Sequence, residues 1–226
     1  MPTFVVRVWV PDRPGALGAV ASRIGAVRGD LVGIDILERG AGRAIDEIVV
    51  ELPEEGLVPL LVSEISQVDG VDVEDVRPAT PTVIDPRLDA LETAAVLVAQ
   101  TTVEDLVTAL ARRSARDFTA EWVAVVDLDS PSPVVSVGST PPGQWLGAFI
   151  AGSRVSANPG TGETGPDDVA WADLTSAGLV VVLGRRGRPF RARERRQLAA
   201  VARIVDQRWA ELVNRSARMV HPSAAS

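Results

Sequence analysis

The chain has 226 residues, 46% of them hydrophobic, and a formal net charge of −7. This length fits one large domain or two small ones, each with an apolar core. The absence of cysteine excludes disulfides, thiolate nucleophiles and cysteine-based zinc sites. No apolar run approaches the roughly 18 residues of a membrane span, and the first residues lack a signal-peptide pattern. We therefore expect a cytoplasmic protein with no membrane partner.

The basic residues also limit the chemistry, because all 23 are arginine. A lysine Schiff base and a phosphate-loop lysine are excluded, and the single histidine, His221, lies near the end of the chain. Paired carboxylates remain as catalytic candidates, namely those of Asp127, Asp129, Asp167 and Asp168. Nothing in the sequence brings them together, so we expect no catalytic residues, no metal and no cofactor.

The first predicted element is a strand that ends at the sequence VPDRPGALGAV, residues 10–20. Phe4, Val6 and Val8 alternate with Val5, Arg7 and Trp9, which predicts a strand with one face toward a core. Pro14 fits the first position of a following helix. Gly15 has no side chain, so the amides of Gly15, Ala16 and Leu17 lie open to a bound group, and a helix N-terminus attracts anions.

Asp12 precedes this helix and has two interpretations. Its carboxylate is placed to accept a hydrogen bond from an ammonium group, so that loop and helix end together suit a zwitterion. Alternatively, Asp12 only caps the helix, as aspartate commonly does. These residues alone do not separate the two.

The remaining elements of residues 1–78 follow from periodicity and turn residues. A first helix carries apolar residues at helical spacing and stops at Gly29. The runs at 31–38 and 44–52 flank two glycines and predict a hairpin. A second helix begins at Leu57, with Pro59 in its first turn, and a short strand ends before Pro78.

This order of strand, helix, two strands, helix and strand resembles the ACT domain family, whose members have ferredoxin-like βαββαβ topology. The segments DRPGALGAV and IDEIVVEL carry the resemblance. The resemblance implies homodimers that bind an amino acid between the first loop and the second strand of a partner subunit. Carried onto this chain, the site comprises Asp12, Arg13, Pro14, Gly15, Ala16, Leu17 and, on the second strand, Leu31 and Asp35. Asp35 stands in for an asparagine of many relatives, or is simply an aspartate on an exposed edge.

Charge separates this segment from the rest of the chain. Residues 1–78 contain 7 arginines and 14 acids, a net of 7 − 14 = −7, whereas the remaining 16 arginines and 16 acids cancel. Nucleic-acid binding depends on cationic residues that neutralise phosphates. We therefore expect no nucleic-acid partner.

Residues 79–85 form a proline-rich linker, and a second domain over 86–214 precedes a tail at 215–226. Leu88, Leu91, Ala95 and Val98 form one helical stripe, and Thr102 with Asp105 resembles a capping box. Two antiparallel strands, a helix, two further strands and a long helix at about 191–213 follow. Residues 82–214 resemble a GAF domain, a family of small-molecule and dimerisation modules. The predicted fold class is α+β in both halves.

Three further motifs favour structural interpretations. GTGETG at 160–165 matches a dinucleotide pattern, but no strand leads into it, which favours a flexible loop. Asp127 and Asp129 lack the further oxygens that calcium needs, which favours a strand-end turn. The basic run at 185–196 contains Glu194, which favours a solvated face or an interdomain contact over phosphate binding.

The sequence thus predicts a non-catalytic sensor that binds a small amino acid at a dimer interface and signals to a GAF-like domain. The signal is expected to reach a downstream protein, which the sequence does not identify. The alternative is a ligand-free homodimerisation or protein-docking module in which the same loop is only a turn.

Overall fold

The computed structural model describes residues 1–79, 86–130, 132–156 and 166–220. The chain divides into two units, Met1–Pro86 and Arg87–Ser226, which we call the front and rear units. Each contains a four-stranded antiparallel sheet with helices packed on it. The predicted α+β class is therefore confirmed. No helix within the described ranges is long and apolar enough to cross a membrane.

The front unit follows the predicted order of elements. Its sheet has the strand order β2-β3-β1-β4, so that β2 and β4 are edges. The elements are β1 (Thr3–Pro11), α1 (Ala16–Ala26), β2 (Asp30–Gly40), β3 (Arg43–Glu51), α2 (Val58–Ser66) and β4 (Asp72–Pro78).

Both faces of β1 are buried, whereas its alternation predicted only one buried face. Phe4, Val6 and Val8 pack in a core with α1 and α2, as predicted. Val5 and Arg7 on the opposite face are also fully buried. A period-two pattern does not anticipate this, because Arg7 is charged and finds carboxylate partners only in the folded sheet.

The end of α1 differs from the predicted glycine stop. Arg28, with φ 59°, takes the left-handed conformation, and Gly29 follows it. A Cβ on Gly29 would lie 3.0 Å from a side-chain carbon of Ile24 and 3.1 Å from one of Leu52. Gly29 is thus required by close packing of the chain rather than by a positive φ.

The rear unit has the strand order β6-β5-β8-β7. Helices α4 and α6 share a core with one face of its sheet, and α5 packs on the other. The last helix continues beyond its predicted end near residue 213. The elements are α3 (Pro86–Val98), α4 (Val103–Asp117), β5 (Trp122–Asp127), β6 (Pro133–Gly138), α5 (Gly143–Ser156), β7 (Val169–Leu174), β8 (Leu179–Gly184) and α6 (Ala192–Val220).

The apolar stripe predicted on α3 lies at the surface. Leu88, Leu91 and Val98 are each at least half exposed, and Leu91 is 69% exposed. The buried residues of this helix include Leu97 and Thr93, whose hydroxyl donates to Asp117 at 2.6 Å. The hydroxyl–carboxylate contact orients α3 so that its apolar stripe faces outward.

The start of α4 is capped as predicted. Thr102 is the N-cap, and its hydroxyl oxygen accepts a hydrogen bond from the N–H of Asp105 at 3.1 Å. The same hydroxyl donates to the Asp105 carboxylate at 2.8 Å. Both contacts between Thr102 and Asp105 are therefore made by the Thr102 hydroxyl.

Candidate functional site

The loop between β1 and α1 forms a turn, and the helix begins one residue later than Gly15. The N–H of Ala16 donates to the carbonyl of Arg13 at 3.3 Å, and Gly15 has φ 85° and ψ −15°. These are the features of a type II turn, with proline second and glycine in the left-handed third position. The prediction that Pro14 occupies the first helical position is therefore wrong, because the Pro-Gly pair favours this turn instead.

The first turn of α1 presents open backbone donors. Within the described residues, the N–H groups of Leu17 and Gly18 have no backbone acceptor, and no side chain caps the helix. The Ala16 amide, by contrast, is used by the turn. A Cβ added to Gly15 would meet no atom within 4 Å. The start of α1 is thus an accessible pair of donors at the positive end of a helix.

Asp12 lies beside this helix start without capping it. The N-cap residue is Gly15, and the Asp12 side chain is exposed. The backbone N–H of Asp12 donates to the carbonyl of Gly42 at 2.9 Å, which holds the loop against the β2–β3 turn. The capping alternative is wrong, and the Asp12 carboxylate is available to a ligand.

Arg13 and Pro14 are also exposed. The Arg13 guanidinium lies 3.9 Å from the fully exposed carboxylate of Asp69. An exposed pair at this distance contributes little to stability. Arg13 therefore remains available to a bound anion.

Within one copy of the chain, the second-strand candidates lie away from the loop. Leu31 aligns through Val50 with Phe4, at the opposite end of the sheet from Val10. The six-residue separation on β1 corresponds to roughly 20 Å. Asp35 aligns with Glu47, on the face of the sheet away from the helices. A single subunit thus brings together the loop residues but neither Leu31 nor Asp35.

Sequence reasoning missed Asp46, which lies on β3 close to the loop. It pairs with Val8 on β1 and Ile36 on β2 and shares the helix-facing side of the sheet. Asp46 is 4% exposed, and its Oδ1 has no hydrogen-bond partner within the described chain. Burial raises the pKa of Asp46; Arg39 opposes the rise and the charge of Asp12 adds to it. The signal was present in the sequence, since the alternation of β3 places this aspartate at a core-facing position.

A second charged cluster lies on the other face of the front sheet. The Arg7 guanidinium bonds Glu47 at 2.7 Å, and Arg77 approaches the same carboxylate at 3.1 Å. The indole N–H of Trp9 donates to Glu74 at 2.6 Å. Burial raises the pKa of Glu47, but the two arginines outweigh it and hold that pKa below its usual value. Opposite charges are paired throughout this cluster, which indicates a structural role.

The three other sequence motifs, which are the Asp127–Asp129 pair, GTGETG and the basic run, have different outcomes. The Asp127 carboxylate accepts a hydrogen bond from the N–H of Asp129 at 2.9 Å, which is the predicted strand-end turn. GTGETG, residues 160–165, lies outside the described residues. In the basic run, Arg185 and Arg188 are buried, so the expected solvated face is wrong at these positions. Among the described residues, no group of three acids or histidines is placed to hold a metal ion.

No protein-family model and no curated protein matches the chain. Two solved structures resemble part of it at 18% identity: an unknown protein from Galdieria sulphuraria and a formyltetrahydrofolate deformylase from Pseudomonas putida KT2440. The first match covers 44% of this chain and 64% of that one, with a TM-score of 0.31. The second covers 35% of this chain and 29% of that one, with a TM-score of 0.26. Similarity this low carries no argument about function.

Proposed function

We propose that the protein is a homodimeric, non-catalytic sensor that binds a free amino acid at the β1–α1 loop of the front unit. The observation that carries the proposal is the open first turn of α1. Two backbone donors, Leu17 N–H and Gly18 N–H, have neither a backbone acceptor nor a side-chain cap. A ligand carboxylate would satisfy both and would interact favourably with the positive end of the helix.

The charges around the loop complement the other end of a zwitterion. Asp12 is exposed beside the helix start and is not used as a cap. Its carboxylate is positioned to accept hydrogen bonds from an ammonium group, and charge-assisted hydrogen bonds of this kind are stronger than neutral ones. An anionic and a cationic group separated by one carbon, as in a free amino acid, fit this pairing.

The topology of the front unit supports the ACT-like interpretation. Its βαββαβ order with strand order β2-β3-β1-β4 is that of ferredoxin-like domains. The resemblance places the ligand between this loop and the second strand of another subunit. Because Leu31 lies at the far end of its own sheet, a complete site of this kind requires a second copy.

The edge strand β2 is suited to pair with that copy. It is eleven residues long and exposes the apolar side chains of Val32, Ile34 and Ile36. Long apolar edge strands readily add another strand. An antiparallel pairing centred on Asp35 would align Leu31 of a second copy with Arg39, at the loop end of the sheet. The same contact thus buries the exposed edge and completes the site.

The rear unit would receive the signal as a GAF-like module. Ligand binding shifts a dimer between two arrangements only to the extent that it favours one of them. A site shared by two subunits meets this condition, because its two halves come together in only one arrangement.

A screen of the twenty standard amino acids against the full chain tests the proposal. We expect at least one to stabilise the protein, because a ligand at about a hundredfold excess over its Kd adds about 2.7 kcal/mol. For a chain of this size that corresponds to a melting shift of several degrees, at roughly 2–4 °C per kcal/mol. Asp12→Ala should reduce the shift, whereas Glu54→Ala, which removes an exposed carboxylate beyond β3, should not. The absence of any response would exclude the sensor.

The dimer is tested separately by placing a charge on the edge strand. Ile34→Arg should shift the protein from dimer to monomer in sedimentation velocity, because Ile34 is 43% exposed at the proposed seam. Val134→Arg is the matched control, since Val134 is exposed on the edge strand of the rear sheet. A wild-type protein that is monomeric at all concentrations would contradict the proposal.

The alternative function is a ligand-free dimerisation or protein-docking module. The exposed stripe of Leu88, Leu91 and Val98 on α3 favours it, since surface apolar stripes commonly mark interaction sites. The two functions differ in one measurement. A docking module would show a dimer or a partner complex whose stability no amino acid changes.

A further inference from the structure

A buried carboxylate lies beneath the first turn of α1. Asp46 extends from the helix-facing side of β3 between Ala44 and Ile48, and its neighbour on β1 is Val8. Val8 packs in one core cluster with Ala16 and Val20 of α1. The Asp46 side chain therefore lies on the face of the sheet that α1 covers, as do the open donors of the proposed site.

This carboxylate lacks the partners that buried acids normally have. Its Oδ1 is fully enclosed and accepts no hydrogen bond from any described residue. Burying a charge without hydrogen bonds opposes folding; burial raises the pKa of Asp46, and the charge of Arg39 offsets this rise only in part. By contrast, its neighbour Glu47 on the other face is held by two arginines. A group that costs stability in the free protein is a candidate for a role in binding.

The surroundings define which ligand group fits. The charges of Asp12 and Arg39 both act on Asp46, so the two carboxylates lie in the same part of the front unit. No third acid or histidine joins them among the described residues, whereas calcium needs about six oxygens. A primary ammonium has three donors and is satisfied by two carboxylates and one further acceptor.

We propose that Asp46 is the buried cation-binding residue of the site and receives the ligand ammonium that Asp12 alone was expected to hold. This inference rests on the proposed function and deepens it. The helix donors bind the ligand carboxylate, and the two aspartates select for an ammonium group beside it. Ile36, the neighbour of Asp46 on the edge strand, is 38% exposed, so Asp46 lies one strand away from the seam proposed for the dimer.

The first measurement uses the free protein. Asp46→Asn keeps the shape of the side chain and removes the buried charge, so the melting temperature of the variant at pH 7 should exceed that of the wild type. Glu54→Gln, the same chemical change at an exposed position, should leave it unchanged. A lower melting temperature for Asp46→Asn would show that a group such as Arg39 already satisfies Asp46, and would overturn the inference.

The second measurement separates ammonium recognition from a general role in folding. The probes are three amino acids, L-alanine, L-leucine and L-phenylalanine, and their deaminated counterparts propanoate, 4-methylpentanoate and 3-phenylpropanoate. Any other amino acid found in the screen is tested in the same way beside its deaminated acid. We expect the wild type to bind an amino acid more tightly than the matching acid. Asp46→Asn should lower the affinity for the amino acid roughly 10- to 100-fold, the range for a hydrogen bond to a charged group. The affinity for the deaminated acid should not change.

The outcomes distinguish the two proposals. If the wild type responds to an amino acid and Asp46→Asn responds with equal affinity, the role of Asp46 is overturned while the sensor stands. If Asp46→Asn lowers the affinities for the amino acid and for its deaminated acid equally, the residue only supports the fold of the site, and the inference also fails. If the wild type responds to no amino acid, both proposals fail.

Discussion

Replacing Arg7 with methionine should lower the free energy of unfolding of the front unit by about 3–5 kcal/mol, the range for breaking a buried ion pair from one side. Arg7 is fully buried and bonds Glu47 at 2.7 Å through its Nη2 and at 3.0 Å through its Nε. Its Nη1 lies 3.8 Å from Glu74. Methionine fills much of the volume but leaves both carboxylates without this cation.

The effect of Arg7→Met should depend on pH in a defined direction. The pKa of Glu47 is held below its usual value, so its contribution to stability is present above about pH 4.5 and is lost as the pH falls through the lowered pKa. Without Arg7 that contribution shrinks. The difference between wild type and variant should therefore be largest near neutral pH and smaller in acid.

Urea unfolding, monitored by hydrogen exchange of peptides from β1 and β3, measures the free energy of unfolding of the front unit. Arg23→Met is the matched control, because the Arg23–Glu64 pair has the similar distance of 3.0 Å but a more exposed arginine. Its loss should cost less than about 1 kcal/mol. Equal effects of the two substitutions would mean that burial does not strengthen the Arg7 cluster.

Local patterns were sufficient to predict most of the fold. β1, the β2–β3 hairpin and the cap at Thr102 depend on alternation, glycines and a side chain that bonds three residues ahead, all of which act over short distances. Where two local signals competed, the prediction failed. Pro14 fits a helix start and a type II turn equally well, and Gly15 decides for the turn because it adopts a positive φ.

The features that were not predicted depend on contacts between distant segments. The outward orientation of α3 follows from the bond between Thr93 and Asp117, which lie 24 residues apart. The position of Leu31 follows from strand register, which fixes the end of the sheet at which a residue lies. For the candidate site, the sequence indicated the loop but not Asp46. The alternation of β3 places this aspartate on the core-facing side, but only the folded structure shows that its Oδ1 has no hydrogen-bond partner among the described residues.

The rear unit contains a second buried arginine whose loss should have a similarly large effect. The Arg185 side chain is 3% exposed and bonds both carboxylate oxygens of Glu194, at 2.7 and 2.8 Å. It also donates to the carbonyl groups of Phe118, Arg188 and Pro189 at 2.6–3.0 Å. One guanidinium thus joins the end of α4 and the loop after β8 to the start of α6. These contacts explain why the basic run is partly buried.

Arg185→Met should lower the free energy of unfolding of the rear unit by about 3–5 kcal/mol, because it removes the ion pair with Glu194 and the donor to three carbonyl groups. Its neighbour Arg186 provides the control, since it is 89% exposed and bonds Glu121 at the surface at 3.1 Å. Arg186→Met should unfold near the wild-type urea concentration, as monitored by hydrogen exchange of β8 peptides. The double variant Arg185→Met with Glu194→Gln should recover part of the loss, because the carboxylate charge that has lost its arginine is also removed. Failure of the double variant to recover any stability would show that the carbonyl contacts, rather than the ion pair, account for the effect of Arg185.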